Sequence, residues 1–351
     1  MIELPPALLQ VIVNVAIALI VTLSLNLEAG FLGLPQFGRV LAVIIGAIVA
    51  GAIPGRILAL MLGFPAGAEY AHYSNNFIIV NQLNEFLASD PLLSIGILLL
   101  TLLLAALLGG IIGFICAYPA IRLTGTLGIT LLAFGDIVMN IAWNYQPLVG
   151  GTTGVAVLDP FRFAGPYRFT LATFVIVGIA LLTYVYIELL GRSPFGRTLK
   201  AARDAELAAS VYGKDIVKLK RQTLIIGGSI AAIGGALWAI FTGSMKAYTY
   251  TRLTWTFWPW AYMMLGGLAS NLGILVGITV FITIRTLIYT YKDVVTLIIP
   301  ISPEWLEYIL VGLVIVVMVL FKPQGIIPER PVLTIRKNKI LKIKEEVSKT
   351  S

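Results

Sequence analysis

The chain has 351 residues, 58% of them apolar and only 12% charged, with a mean hydropathy of +0.94. An ordinary globular domain carries about half apolar and about a quarter charged residues, so this composition excludes a soluble protein and leaves little chain for a soluble catalytic domain. The formal charge of +8 does not point to nucleic acid, because the cations sit at the ends of apolar runs, where they act as an orientation signal in a membrane.

Long apolar runs between polar breaks predict an all-α, polytopic membrane helix bundle of about nine transmembrane helices. They lie near residues 7–27, 40–62, 92–121, 126–143, 168–190, 222–243, 256–269, 273–290 and 305–321. The first run has no basic residue before it and no small-residue cleavage site directly after it, so it reads as a retained helix. The seventh is short for a full crossing and the third is long, so a re-entrant, tilted or broken helix is open for either.

With the amino terminus outside, the inside connections hold Arg39, Arg122, eight basic residues from Arg192 to Arg221 and eight from Lys322 onward. The outside holds five, Arg162, Arg168, Lys246, Arg252 and Lys292, while Arg56 and Arg285 lie within spans. This bias predicts a multi-pass protein of the cytoplasmic membrane with its amino terminus outside and its carboxyl terminus in the cytoplasm. Residues 1–330 form the transmembrane domain, with one long cytoplasmic loop at 191–221, and residues 331–351 form a basic cytoplasmic tail near anionic lipid. Between the second and third spans, Val80, Leu83, Phe86 and Leu87 repeat at helical spacing, which predicts an amphipathic helix lying on the membrane surface or against an external partner.

In the fourth span, Thr126, Thr130, Ala133, Asp136, Asn140 and Asn144 fall within an arc of roughly 120° on one side of the helix. Lipid contact would be costly for such a face, so it belongs to the bundle interior or a wet passage. Asp136 lies close to the midplane and needs a partner; Arg285 in the eighth span is the first candidate and Arg56 the second. A substrate passage and an ion pair that fixes helix packing both fit the pattern. The sixth span carries Gly227, Ala231 and Gly235 with Gly228, Ala232 and Ala236 beside them, a spacing that lets helices approach closely. Gly46, Ala50 and Pro54 in the second span, and Gly109, Gly110, Gly113 and Pro119 in the third, predict kinked or interrupted helices.

In the loop, Ser193-Pro194 is a helix-start signal and Gly213 a stop signal. Ala205, Ala208, Ala209 and Tyr212 share a mildly apolar face, suited either to a groove on a cytoplasmic protein or to solvent. No nucleotide-binding G-x-x-x-x-G-K-[ST] loop occurs. His72 and Cys116 are the only histidine and cysteine, so no catalytic residues, metal site or cofactor are expected. Any energy used must come from another subunit.

Leu25-Asn26-Leu27 with Gly30, Gly33-Leu34, Phe37-Gly38 and Gly46-Ala47 resembles the amino-terminal signature of the branched-chain amino acid ABC transporter permeases. Thr130 to Ile137 with Gly150 to Val155 resembles that family's central signature. Ser193, Pro194, Phe195, Gly196 and Arg197, with Ala201, Arg203, Glu206, Ala208, Ala209 and Gly213, resembles its cytoplasmic loop. Leu265 to Leu268, Gly273, Gly277 and Lys322 to Gly325 resemble its closing motifs, and the loop and the tail motif resemble the LivM-type subunit more than its paired LivH-type subunit.

The resemblance implies one of two membrane subunits of an ATP-driven importer of Leu, Ile or Val. ATPase subunits would couple at the loop centred on Glu206 to Gly213, and an extracytoplasmic substrate-binding protein would deliver the amino acid. The passage would run at the interface with a second permease subunit, lined by Thr126, Thr130, Asp136, Asn140, Asn144 and Arg285. Related permeases carry urea, amides or other amino acids. An ion-coupled secondary transporter with Asp136 as the coupling site is the rival reading.

Overall fold

The computed structural model describes residues 6–123, 127–291, 302–322 and 324–329. Every apolar run predicted from the sequence is helical. Helix α1, Pro6–Leu25, passes into a π-helical turn, Asn26–Phe31. After an extended stretch, α2 (Arg39–Ala52) and α3 (Pro54–Met61) form one rod. The rod is interrupted at Ile53 because Pro54 has no N–H to continue the ladder. Helices α4 (Tyr73–Ser89), α5 (Pro91–Arg122), α6 (Leu127–Asn144), the short α7 (Gln146–Val149) and α8 (Arg168–Arg192) follow. Then come α9 (Pro194–Asp204), α10 (Glu206–Val211), α11 (Ile216–Thr242), α12 (Trp258–Gly266), α13 (Asn271–Thr290) and α14 (Pro303–Phe321).

Among the described residues seven helical stretches are long and apolar enough to cross a membrane: Leu8–Phe31, Arg39–Met61, Pro91–Arg122, Leu127–Asn144, Arg162–Arg192, Ile216–Thr242 and Asn271–Thr290. The third predicted span is one unbroken helix of 32 residues, about 48 Å at 1.5 Å per residue, so it tilts or projects beyond a hydrocarbon layer of about 30 Å. The seventh is broken. A five-residue π turn, Leu253–Phe257, runs into the nine-residue α12, together only about 20 Å. The chain then turns through Gly267 (φ 128°) and Ala269 (φ 59°) before Ser270 caps α13.

The core is built around α11, which lies against α5 and α2. The small residues read from the sequence are the contact. A Cβ on Gly109 would stand 2.5 Å from the Gly228 carbonyl, and one on Gly46 would overlap the Ala232 carbonyl. Helix association in lipid depends on such backbone-to-backbone approach, because apolar burial alone gives no drive there.

The two ends differ. At the basic end lie the turn after α1, helices α9 and α10, and residues 324–329. The loop end carries α4, α7 and a two-stranded ribbon in which β1 (Val155–Ala156) pairs antiparallel with β2 (Ser244–Met245). The sequence placed the apolar face of α4 on the membrane or an external partner; instead this chain covers it. Ile79, Val80, Leu83 and Leu87 pack with Leu58, Tyr70, Ile97 and Leu158, and Phe86 faces outward. Polar ties fix this choice: Asn76 Oδ1 accepts from Ala156 N at 2.6 Å, and Asn84 Oδ1 from Asp159 N at 2.9 Å.

Candidate translocation and coupling sites

The backbone leaves regular helix at the basic end, where α1 meets α2. Buried backbone outside regular helix needs hydrogen-bond partners, and several are found nearby. Leu34 N donates to Glu28 O at 3.0 Å, Gly38 N to Gln36 Oε1 at 2.8 Å, and Trp260 Nε1 to Gln36 O at 2.9 Å. At its centre Glu28 and Arg39, each 1% exposed, form an ion pair, and Arg39 Nη1 donates to Gly227 O at 3.0 Å. Gly227 makes room: a Cβ there would collide with the Glu28 carboxylate. Glu28 was not singled out from the sequence, and Arg39 was read as an inside connection residue. The available signal was one charge inside the Leu25-to-Gly38 motif and an opposite one directly after it.

The polar stripe of α6 opens on the side of the molecule. Asn140 and Asn144 are exposed, Thr130 is half-buried, and Asn144 Nδ2 donates to Asn140 O at 2.9 Å. Thr126 lies outside the described residues. Asp136 pairs with Arg252 at 2.7 Å, with side chains 25% and 50% exposed. This corrects the expected pairing with Arg285 or Arg56. The segment after β2 does not stay in an outer connection but runs down along α6, with Tyr248 edge-on to Trp143 at 5.9 Å, and so carries Arg252 to the carboxylate. Arg56 instead donates to the carbonyls of Ala52 (2.7 Å), Pro147 (2.5 Å) and Leu148 (3.1 Å), which ties the α2–α3 rod to α7. Arg285 lies over the Trp258 ring, 3.8 Å from its centroid, and lines a groove that takes no residue from α6.

At the basic end, Ser193 caps α9 by accepting from Gly196 N at 3.3 Å. Gly196 sits against the carbonyls of Leu190 and Gly191, with no room for a side chain. Phe195 is half-buried and Arg197 and Ala208 are exposed. Helix α10 ends at Gly213, whose φ of 78° is the left-handed conformation glycine adopts freely. The sequence picked Ala205, Ala208, Ala209 and Tyr212 as the apolar face, but Ala209 is buried against the bundle. Tyr212 does project, 84% exposed, and beside it stand Leu207 and Val211, which were not picked, 79% and 78% exposed. The i, i+4 spacing of Leu207 and Val211 was the signal. Glu206 faces Lys220 at 2.8 Å.

Arg203 braces this loop. It donates to Gly30 O at 2.7 Å and pairs with Glu329 at 2.9 Å, and Glu329 also holds Lys200 at 2.7 Å. Burial works to lower the Arg203 pKa, but the Asp204 and Glu329 carboxylates outweigh it and hold the pKa above its usual value. Residues 326 and 327 seal the α12–α13 break, with Ile326 N donating to Leu265 O and Ile327 N to Gly266 O, both at 2.9 Å.

A bundle of long apolar helices with a buried charge pair at a broken backbone, a polar face open along one helix and a short helix projecting from the basic end has the build of a multi-pass membrane permease. Comparison with known proteins agrees with this class. The chain belongs to the family described as branched-chain amino acid transport system / permease component, whose model matches residues 7–319. It is 38% identical to the "Probable branched-chain amino acid transport permease protein LivM" of Methanocaldococcus jannaschii, over 92% of this chain and 94% of that protein. It is 25% identical to the "High-affinity branched-chain amino acid transport system permease protein LivM" of Salmonella typhimurium, over 66% of this chain and 58% of that one. The protein of that name from Escherichia coli gives 24% over the same shares. No solved structure matches the chain.

Proposed function

We propose that this protein is one of two membrane permease subunits of an ATP-driven importer that moves Leu, Ile or Val across the cytoplasmic membrane. The permease family and the names its relatives carry support the substrate class. The passage runs along the Thr130, Asp136, Asn140 and Asn144 face of α6, with Arg252 beside it, and a second permease subunit closes it. The observation that carries this reading is the half-exposed Asp136–Arg252 pair on the side of a membrane helix. An ionised side chain facing lipid at mid-membrane costs at least ~2.5–3.5 kcal/mol, so protein and water must cover that face.

The basic end is cytoplasmic by the bias of Lys and Arg, which places the amino terminus outside and the residue 331–351 tail inside. ATPase subunits dock on the loop at residues 191–221, and an extracytoplasmic binding protein delivers substrate at the loop end.

The sole cysteine, Cys116, is buried, so a Cys116→Ser background permits a direct test. In the assembled complex, Asn140→Cys is expected to react with a small polar maleimide, and leucine with the binding protein is expected to slow that reaction. Asp136→Asn is expected to cut uptake about tenfold, ~1.4 kcal/mol of barrier, with the protein retained in the membrane. Reaction of the Asn140→Cys variant with lipid-soluble reagents only, or full uptake by Asp136→Asn, would remove this face from the pathway.

A further inference from the structure

A cluster of cations without carboxylate partners lies at the basic end, on the outer side of the seam between α5 and α11. The two helices run antiparallel there. A Cβ on Gly113 of α5 would meet the Leu224 carbonyl of α11, and one on Gly109 the Gly228 carbonyl, so the last turns of α5 lie beside the first turns of α11. Phe114, Tyr118 and Arg122 form one column at i, i+4 spacing on α5, and the two rings face outward, 53% and 62% exposed. A guanidinium is stacked on each ring. Arg122 lies over Tyr118, 4.5 Å from its centroid, and Arg221 reaches across from α11 to lie over Phe114 at 5.7 Å. Both arginines are exposed, and among the described residues neither guanidinium makes an ion pair or a hydrogen bond. Lys218, also exposed, stands one turn before Arg221, and Asp215 beside it is engaged in capping α11, accepting from Lys218 N at 2.9 Å.

We propose that Arg122 and Arg221 hold the phosphate of an anionic phospholipid whose acyl chains lie down the outer face of α5. Stacking occupies the flat face of a guanidinium and leaves its in-plane N–H donors free, so each ring presents a fork that a phosphate oxygen can accept from. The face below them says what covers it. Leu99, Leu103, Leu107, Ile111 and Ile115 continue the column at i, i+4 spacing, all exposed, and from Leu99 to Tyr118 the helix rises about 29 Å, close to the ~30 Å of a hydrocarbon layer. An apolar column of bilayer length with cations at one end has the pattern of a lipid-facing surface. Arg122 lies in the last turn of α5 and Arg221 in the second turn of α11, the level where hydrocarbon gives way to headgroups. Basic sites between membrane helices take anionic headgroups in this way. A zwitterionic lipid brings its own ammonium, which two unpaired cations repel, so net charge sets the preference.

The test is competition between phosphatidylglycerol and phosphatidylcholine of matched chains, in equal amounts, for the purified full-length protein, read by native mass spectrometry. Phosphatidylglycerol is expected to be retained in preference. Arg122→Gln and Arg221→Gln are each expected to lower that preference about fivefold, the worth of one cation near an anionic surface, and the double variant to remove it. Arg122→Lys/Arg221→Lys keeps the charge and is expected to keep most of the preference. Arg197→Gln takes an exposed cation outside the stacked pair from the same end and is expected to leave it unchanged. The substituted side chains are exposed, and monodisperse elution checks that each variant folds. Equal retention of the two lipids by the parent, or a double Gln variant no weaker than Arg197→Gln, would overturn the proposal. So would displacement of the lipid by inorganic phosphate, the mark of a free-anion site, or its release when ATPase or second-permease subunits bind, the mark of a protein occupant. Because the readout is lipid binding, its failure leaves the transport reading untouched.

Discussion

A single pair of side chains holds the interruption between α1 and α2. Glu28 and Arg39 are both withdrawn from water and lipid, and their charges compensate only while both are present. Removing one partner of such a pair costs ~3–5 kcal/mol, whereas replacing both with apolar groups of similar size is often near neutral. Arg39→Met is therefore expected to lower the detergent-solubilised protein's unfolding temperature sharply, and the double variant Glu28→Leu/Arg39→Met to regain most of the loss. If Arg39→Met melts like the parent, the pair contributes nothing to the fold.

Between helices, the decisive quantity is how closely backbones approach. Gly46 and Gly113 sit where α2 and α5 meet the backbone of α11, and a side chain at either overlaps a carbonyl. Gly46→Val or Gly113→Leu is expected to cost several kcal/mol, at or above the ~1–3 typical of overpacking, and to sharply reduce monodisperse protein on size-exclusion chromatography. Gly178→Ala, which meets nothing within 4 Å in α8, is expected to be neutral or to stabilise by up to ~1 kcal/mol. The α11 side of this seam was legible in the sequence, because Gly227, Ala231 and Gly235 at four-residue spacing report it directly; Gly109 and Gly113 read as kink signals, yet α5 runs unbroken and uses them for close approach. The α6 stripe was legible for the same reason, since a 3.6-residue period survives in the sequence alone. The partner of Asp136 was not, because pairing across helices depends on where a distant segment runs, and residues 246–252 read as an ordinary outer connection. The fate of α4 was hidden likewise: its period shows an apolar face, but only Asn76 and Asn84, bonded to backbone some 80 and 75 residues away, determine what covers it.

At the level of the whole molecule, the loop of α9 and α10 is tied through Arg203 to Gly30 in the turn after α1 and through Glu329 to the segment 324–329 that seals the α12–α13 break. On the proposed function, a displacement of this loop by a docked motor would reach both interrupted helices through these polar contacts. Exposed Leu207 and Val211 are the side chains that such a motor would grip, much as an amphipathic helix is read by a groove. The central claim is that this chain forms half of a passage opened by ATP hydrolysis elsewhere. The most direct measurement is uptake of labelled leucine into proteoliposomes that hold this chain, its companion permease, the ATPase subunits and the binding protein. The account predicts accumulation only with ATP, and its loss in Leu207→Asp/Val211→Asp with the protein still in the membrane. Accumulation by this chain alone on an ion gradient, without nucleotide, would contradict it.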